Sequence, residues 1–415
     1  MLSERTFLSL ARGGGGEKAV EELRAIHRGR VLVLIRGLLD KAQEAGHPEA
    51  GMAANGFELL NSLRRAHPNL VNEILAYPTV TAWVRRTLTE LREGRPSHPG
   101  RLACAAAVAA YRVGSDRAVV VPAENGAVVL PGLGRATLLD RATAEFGSGR
   151  VGHVTLSDGE PGWTPLRTLH ARHDGIAVRF VIEDGDPDRM PGAGTVTGRL
   201  DDLAVRQWQD VLSEAWQSMA SLHWTTATEV SAAITALTPL RTSGNGHVSG
   251  TPTHAFGNIG LSTPPGPLEL AETLAHEVQH VKLSALLEIV PLTLRDDRPL
   301  HYAPWRPDPR PIAGLLQGTY AYLGVTGFWR RQREVERGNQ ALRAHSEFAR
   351  WREAAGQAAR TLADSERLTD MGMVFVEEMA RTLRVWRREY VPPVAHRNAR
   401  ANADEHRSSW RSRHS

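Results

Sequence analysis

The sequence predicts a mainly α fold of the α+β class: a helical N-terminal part with a small antiparallel β insert, followed by a helical C-terminal half. Apolar residues recur at helical spacing in long segments near both ends of the chain. Between them, residues 117–182 contain short β-branched runs separated by Gly, Asp and Pro, which is typical of short antiparallel strands. The chain has 415 residues, of which 41% are hydrophobic and 23% charged. This composition excludes a disordered or fibrous protein, and the length suggests two domains.

The N-terminal helices are predicted from apolar spacing and from the residues that stop them. Segment 17–45 has apolar residues at helical spacing, and Gly46, His47 and Pro48 end it. Similar segments predict helices at 56–65, 70–76, 80–93 and 103–113. The β-branched runs predict strands at 117–121, 127–130, 151–156, 166–170 and 176–182.

The C-terminal half begins after a Gly/Pro/Asp-rich stretch that ends near residue 203. We therefore expect an N-terminal domain at 1–200, with a candidate peptide-binding role, and a second domain at 201–415. A helix is predicted at 203–222, and strands at 230–240 and 255–261 flank a Ser/Gly/Thr/Pro loop. The later helices are predicted at 268–290, 312–337, 339–363, 368–390 and from there to about residue 410.

Several classes of protein are excluded by composition. No apolar run approaches the roughly 18 residues of a membrane-spanning helix, and no secretory signal is visible. The single cysteine, Cys104, cannot form an internal disulfide and fits a reducing compartment, so we expect a cytoplasmic protein without a membrane partner. Lys and Arg (50) nearly balance Asp and Glu (46), which argues against a nucleic-acid partner.

One motif indicates chemistry. His276-Glu277-Val278-Gln279-His280 is an H-E-x-x-H sequence inside the predicted helix 268–290. Histidines four residues apart lie on one face of a helix, so both imidazoles can bind one metal ion. The sequence therefore predicts a zincin-like metal site in the 201–415 domain, with a strand before the metal helix.

The motif leaves the metal and the reaction open. In a zinc peptidase, Glu277 acts as the general base that deprotonates a metal-bound water. Two histidines and a carboxylate also form the facial triad of Fe(II) oxygenases. The third ligand must come from downstream, where Glu334, Glu336 and Glu347 are the acidic candidates and His301 is the nitrogen-donor alternative. Glu288 is about 12 Å from His280 along the helix axis, too far to share the ion.

Several segments resemble the HExxH-motif peptide-modification family of bacterial peptide natural-product clusters. The resemblance includes residues 273–287, 302–311, 315–325 and 348–352 and extends over nearly the whole chain. It implies an Fe(II)- and 2-oxoglutarate-dependent dioxygenase that uses O2 to β-hydroxylate a side chain in a ribosomally synthesised precursor peptide. It also implies a radical-SAM enzyme of the same pathway as a partner. Two positions depart from the pattern of some relatives, which have histidine at Gln317 or Tyr322.

The expected site roles follow from the resemblance together with side-chain chemistry. His276 and His280 bind iron, and Glu347 is the preferred third ligand. The Pro-rich loop 304–311 presents Arg306 and Arg310, and either guanidinium can bind the cosubstrate carboxylate in bidentate fashion. Glu277 has no obligatory base role in this mechanism and can orient the substrate, which we expect to lie along the 255–261 strand. The alternatives are a zinc metallopeptidase and a non-catalytic partner that binds leader peptides.

Overall fold

In the computed structural model, residues 2–138, 141–192, 196–242, 246–295 and 300–414 are described. They form a mainly α protein with a β insert, as predicted. The helices are α1 Glu4–Ala11, α2 Gly16–Glu44, α3 Ala50–Ala66, α4 Pro68–Leu75, α5 Pro78–Arg92, α6 Leu102–Arg112, α7 Asp202–Leu222, α8 Trp224–Ala233, α9 Pro267–Leu287, α10 Ile312–Val335, α11 Gly338–Ala363, α12 Asp370–Arg387 and α13 Pro393–His414.

The strands are short, and most lie between α6 and α7. They are β1 Val119–Pro122, β2 Ala127–Leu130, β3 Gly134–Thr137, β4 Thr143–Gly147, β5 Arg150–Val151, β6 Val154–Thr155, β7 Trp163–Pro165, β8 Arg167–His173, β9 Ile176–Ile182, β10 Ala236–Pro239, β11 Ser249–Gly250 and β12 Asn258–Leu261.

The N-terminal helices pack around α6. Nine of its residues, from Leu102 to Ala110, are buried, because an alanine-rich helix without a polar face can be enclosed on all sides. Helix α3 approaches it closely at Gly56, where a Cβ atom would lie 2.8 Å from the backbone nitrogen of Ala103. The predicted helices of this region are all present, with ends that shift by a few residues.

The β insert is antiparallel in its two smaller sheets, with strand orders β1-β4-β5-β6 and β2-β3-β7. The third sheet, β11-β12-β10-β9-β8, is mixed. In it β10 pairs in parallel with both β9 and β12, so helices α7 and α8 form the crossover between β9 and β10. The sequence predicts an antiparallel sheet for this region, and the third sheet differs because it is mixed. Parallel strands are joined by long connections, so their pairing cannot be read from neighbouring segments of the sequence.

Residues 230–240, predicted as one strand, are divided between a helix and a strand. Residues 224–233 form α8, and the chain becomes extended at Ile234 before β10. Val230 and Ala233 are buried in the main core, together with residues from α7 and α9. Tertiary packing on both sides of α8 therefore overrides the β-branched composition of the segment.

The mixed sheet contains strands from both sides of the boundary predicted near residue 200, since β8 and β9 precede it and β10 to β12 follow it. The core beneath this sheet likewise includes residues as distant in sequence as Val20, Phe180, Leu274 and Ala399. No helix among the described residues has the length and apolar character that crossing a membrane requires.

Candidate metal centre

The two motif histidines lie on one face of α9 and converge. The distance between His276 Nε2 and His280 Nε2 is 3.1 Å. Two nitrogens bound to one ion at about 2.1 Å lie roughly 3.0–3.4 Å apart at octahedral to tetrahedral angles. Burial lowers the pKa of His276 to about 4, so its imidazole is neutral at pH 7, the form that binds metals. The spacing therefore fits two ligands of one ion, and it equally fits a hydrogen bond between the two imidazoles.

Gln317, on α10, fixes the orientation of His280. Its Oε1 lies 3.0 Å from His280 Nδ1, and its Nε2 donates to Ser284 Oγ at 3.4 Å. With the amide oriented in this way, Nδ1–H donates to Gln317 and the lone pair of His280 is left on Nε2, facing His276. Such outer hydrogen bonds determine the tautomer of metal-binding histidines.

Tyr322 packs against the other histidine. Its ring is edge-on to His276, with ring centroids 5.3 Å apart and an interplanar angle of 86°. The Trp305 ring stacks on the Tyr322 ring, with ring centroids 4.7 Å apart. Gly318 makes room for this indole, because a Cβ atom there would lie 2.5 Å from the Trp305 ring. The aromatic pair thus forms one wall beside the histidines.

Glu277 points toward the edge of the mixed sheet. Ser249 Oγ donates to its Oε1 and Thr251 Oγ1 to its Oε2, each at 2.7 Å. The residue is 1% exposed, and its Oε1 lies 4.0 Å from His276 Nε2. Both carboxylate oxygens therefore accept from hydroxyl groups, one in the edge strand β11 and one in the residue that follows it. Glu277 also borders the cleft described next.

A cleft of about 450 Å³ contains the histidines and several of the other predicted residues. Arg306 and Arg310 both line it. Each also pairs with Asp308, at 3.0 Å from Arg306 Nε and 3.4 Å from Arg310 Nη1. The loop thus places two guanidinium groups at the same cleft as the two histidines, with one carboxylate between them.

Two predicted ligand candidates lie elsewhere. Neither Glu347 nor His301 lines the cleft. His301 forms a backbone bridge with Arg310, whereas Glu347 lies close enough to Glu272 and Tyr322 for its charge to raise the pKa of both. Within the described part of the chain, no three His, Cys, Asp or Glu side chains are grouped closely enough to hold a metal ion.

Glu288 has a different environment, at the C-terminal end of α9. Arg85 Nη2 donates to its Oε1 at 2.6 Å, and His27 and His254 each lie 3.5 Å from one of its oxygens. The sequence argument that excluded Glu288 from the metal site is consistent with this separate cluster. His254, near the strand preceding α9, belongs to the same cluster.

The side of α9 opposite the cleft carries a buried ion pair. Lys282 Nζ donates to Glu229 Oε2 at 2.7 Å and also contacts the carbonyl oxygens of Gly13 and Gly14. The other Glu229 oxygen accepts from the backbone nitrogen of Gly16 at 2.9 Å. The three donors of the ammonium group and both carboxylate oxygens therefore have partners within the chain.

His276 and His280 are the residues that would hold a metal ion at this cleft, and among the described residues no third His, Cys, Asp or Glu side chain completes a group with them. Sequence reasoning identified the histidines from their spacing but missed Ser249, Thr251 and the role of Gln317, which are near the motif only in the folded chain. No protein-family model matches the sequence, and no curated protein does either.

Proposed function

We propose that this protein is an Fe(II)- and 2-oxoglutarate-dependent dioxygenase that β-hydroxylates a side chain in a ribosomally synthesised precursor peptide. The observation that carries the proposal is the convergence of His276 Nε2 and His280 Nε2 in a cleft that Arg306 and Arg310 also line. When bound, Fe(II) would couple decarboxylation of 2-oxoglutarate to the transfer of one atom of O2 to a C–H bond and the other to succinate.

The two arginines support a dicarboxylate cosubstrate. A guanidinium binds a carboxylate through two parallel hydrogen bonds, and Asp308 holds Arg306 and Arg310 beside each other at the cleft. The side chain of Asp308 is 44% exposed, so a cosubstrate carboxylate can replace it as the partner of one arginine while the other stays paired. Of the two, Arg306 makes the shorter contact with Asp308, which favours Arg310 for binding the cosubstrate.

The contacts of Glu277 support a positioning role for this carboxylate, although its remaining lone pairs leave the peptidase alternative to experiment. A general base needs a carboxylate oxygen that can accept a proton from metal-bound water. Ser249 and Thr251 already donate to both oxygens of Glu277. We infer that Glu277 positions the edge strand, and thereby the substrate, beside the histidines.

The peptide would bind along β11. The predicted substrate strand, β12, is covered on its outer side by β11, which is the terminal strand of the mixed sheet. Ser249, Gly250 and Thr251 line the cleft. A peptide added to this edge would make main-chain hydrogen bonds and pass the two histidines.

The first test is the visible absorption band that appears when 2-oxoglutarate chelates protein-bound Fe(II) under anaerobic conditions. We expect the band in the wild type and its loss in His276→Ala and His280→Ala. Arg310→Gln should raise the 2-oxoglutarate concentration that gives half of the maximal absorbance of the band. Arg199→Gln removes the same charge away from the cleft and should leave this concentration unchanged. Glu347→Gln and His301→Ala should both retain the ion, because neither side chain lines the cleft. Loss of the ion in one of these variants would instead identify that residue as the third ligand.

The second test adds O2 and the precursor peptide. A product heavier by one oxygen atom, with succinate release, is expected from the wild type and, at a measurable rate, from Glu277→Gln. If zinc alone yields peptide fragments and Glu277→Gln abolishes them while no succinate appears, the protein is a peptidase. If peptide binds but neither product forms under any metal, the non-catalytic partner is the correct alternative.

The same proposal implies a cytoplasmic location, where ribosomal peptides are made, and a radical-SAM enzyme of the same pathway as a partner. Cys104 is buried, and burial raises the pKa of its thiol to about 12. The thiol is therefore protonated and unreactive, as suits a protein that needs no disulfide.

A further inference from the structure

A groove lined by arginines lies between α11 and α13. Its volume is about 290 Å³, and Arg350, Arg360, Arg387, Arg400 and Arg407 line it. We call these five residues the arginine groove. Small residues on both helices, such as Ala354 and Ala403, also line it, so the guanidinium groups surround a concave surface rather than a flat one.

The arginine groove has more positive charge than its own acids can neutralise. Within the described part of the chain, the only acidic residue that lines it is Glu353, which Arg387 already contacts at 3.0 Å. Among the described residues, Arg350, Arg360 and Arg400 form no ion pair. A concave surface lined by several cations and by one acid that is already paired attracts anions.

Two arginines of the groove are held in place by other contacts. Arg350 lies over the Trp351 ring at 4.2 Å, and Arg407 lies over the Tyr302 ring at 5.5 Å. Arg407 also donates to Gln357 Oε1 at 2.6 Å. Since stacking fixes part of each side chain before any anion arrives, less side-chain entropy is lost on binding.

A neighbouring hollow shares one lining residue with the arginine groove and another with the metal cleft. This hollow, of about 480 Å³, is lined by Arg350, which also lines the arginine groove, and by Trp305. Trp305 also lines the metal cleft. The three concavities are therefore neighbours, and Arg350 and Trp305 are the residues they share.

We infer that the arginine groove binds an acidic segment of the peptide whose other segment enters the metal cleft. The second half of this statement rests on the proposed function; the binding of an acidic peptide does not. Peptide carboxylates suit guanidinium groups in a short groove. Glu405 borders the neighbouring hollow and would repel a phosphate there. A nucleic acid carries a phosphate at every nucleotide, whereas a peptide can pass Glu405 with uncharged residues, so an acidic peptide is favoured over a nucleic acid.

The test measures fluorescence anisotropy with metal-free, full-length protein and three labelled probes. These are a short glutamate-rich peptide, the same peptide with glutamine in place of glutamate, and oligodeoxythymidine of similar length. We expect the glutamate peptide to bind best and its affinity to fall with added salt. Arg360→Gln combined with Arg400→Gln should weaken binding by about tenfold or more, since hydrogen bonds to charged groups are among the strongest.

Two comparisons make the result specific. Arg64→Gln combined with Arg65→Gln removes the same charge from α3 and should leave the affinity unchanged. Replacing Arg360 and Arg400 by glutamate should instead create a preference for a lysine-rich peptide. Because Arg360 and Arg400 are exposed, the fold should survive, which circular dichroism checks.

The inference is overturned if glutamate and glutamine peptides bind equally, if the α3 variant loses as much affinity as the groove variant, or if the oligonucleotide binds as tightly through the same arginines. Acidic-peptide binding through the arginine groove, without the Fe(II)–2-oxoglutarate band, would support the inference and reject the dioxygenase. If the absorption band and succinate release appear but acidic peptides are not preferred, the dioxygenase proposal is supported and the arginine-groove inference is rejected.

Discussion

The two faces of α9 differ in whether their polar side chains are fully hydrogen-bonded within the chain. On the face toward the N-terminal loop, Lys282 and Glu229 are each 1% exposed, and every donor and acceptor of the pair has a partner. On the cleft face, His276 and His280 converge on each other and leave space for a ligand. Charges that are fully satisfied within the chain stabilise a fold, whereas converging groups with unused capacity indicate a binding site.

The largest effect should come from breaking the satisfied face. Lys282→Met leaves Glu229 buried without its cation, and loss of one partner of a buried ion pair destabilises a protein by about 3–5 kcal/mol. Urea denaturation measures this change, and the Glu229→Gln, Lys282→Met double variant should recover part of it. The matched control is Lys41→Met, which breaks the exposed Lys41–Glu44 pair and should have little effect. A similar loss in both lysine variants would contradict the comparison.

The next effect concerns the cleft face, where function rather than stability should suffer. His280→Ala removes one of two nitrogen ligands and should weaken Fe(II) or Zn(II) binding by more than about 100-fold. Its free energy of unfolding without metal should change far less than in Lys282→Met, because His280 borders a cleft. Chelator competition and denaturation of the same sample give both values. Undiminished metal affinity in the variant would show that the histidines do not form the site.

A smaller effect is expected from the residue that orients His280. Gln317→Leu removes the acceptor for His280 Nδ1–H and should weaken metal binding by about 10–100-fold. Gln317→Glu keeps an acceptor at the same place and should restore most of the affinity. If the leucine and glutamate variants are equally weak, Gln317 acts through packing and not through this hydrogen bond.

The smallest effect is a pH dependence at Glu272, also on α9. Burial, together with the charge of Glu347, raises the pKa of Glu272 to about 7 against the lowering effect of a hydrogen bond from Trp329. The folded state therefore binds this proton more tightly than the unfolded state does. The stabilisation that protonated Glu272 contributes is fully present below about pH 4.5 and is lost as the pH rises through about 7. Glu272→Gln should remove this loss, on the order of 1 kcal/mol after discounting for partial exposure. Denaturation of both proteins at pH 5 and pH 8 checks it; a parallel pH dependence would contradict the assignment.

The comparison also explains what sequence could predict. The histidine pair and the helix around it follow from local spacing, and so do most helices, because the 3.6-residue period is a local property. The partners of the motif are not local. Ser249 and Thr251 reach Glu277 only because β11 pairs with β12 at the sheet edge. Gln317 reaches His280 only because α10 packs on α9.

The error in residues 230–240 has the same origin. Those residues have the composition of a strand, yet the first of them belong to α8, in which Val230 is buried. Glu229, which precedes the segment on the same helix, pairs with Lys282. A pattern of side chains cannot reveal that a carboxylate will meet a lysine 53 residues away. The parallel pairing of β9 and β10 was missed for a similar reason, since it depends on the α7–α8 crossover.

The contacts of α9 with the first loop of the chain also impose an order in time. Gln279 Nε2 donates to the carbonyl oxygen of Gly13, a partner 266 residues earlier. At about 5–20 residues per second of translation, the loop must wait roughly 13–53 seconds for this helix to be synthesised. Until then, the glycine carbonyls that later contact Lys282 remain hydrated or bound elsewhere. The loop at Gly13 and Gly14 therefore gains these partners only after α9 has been synthesised, whereas α9 finds the loop already made.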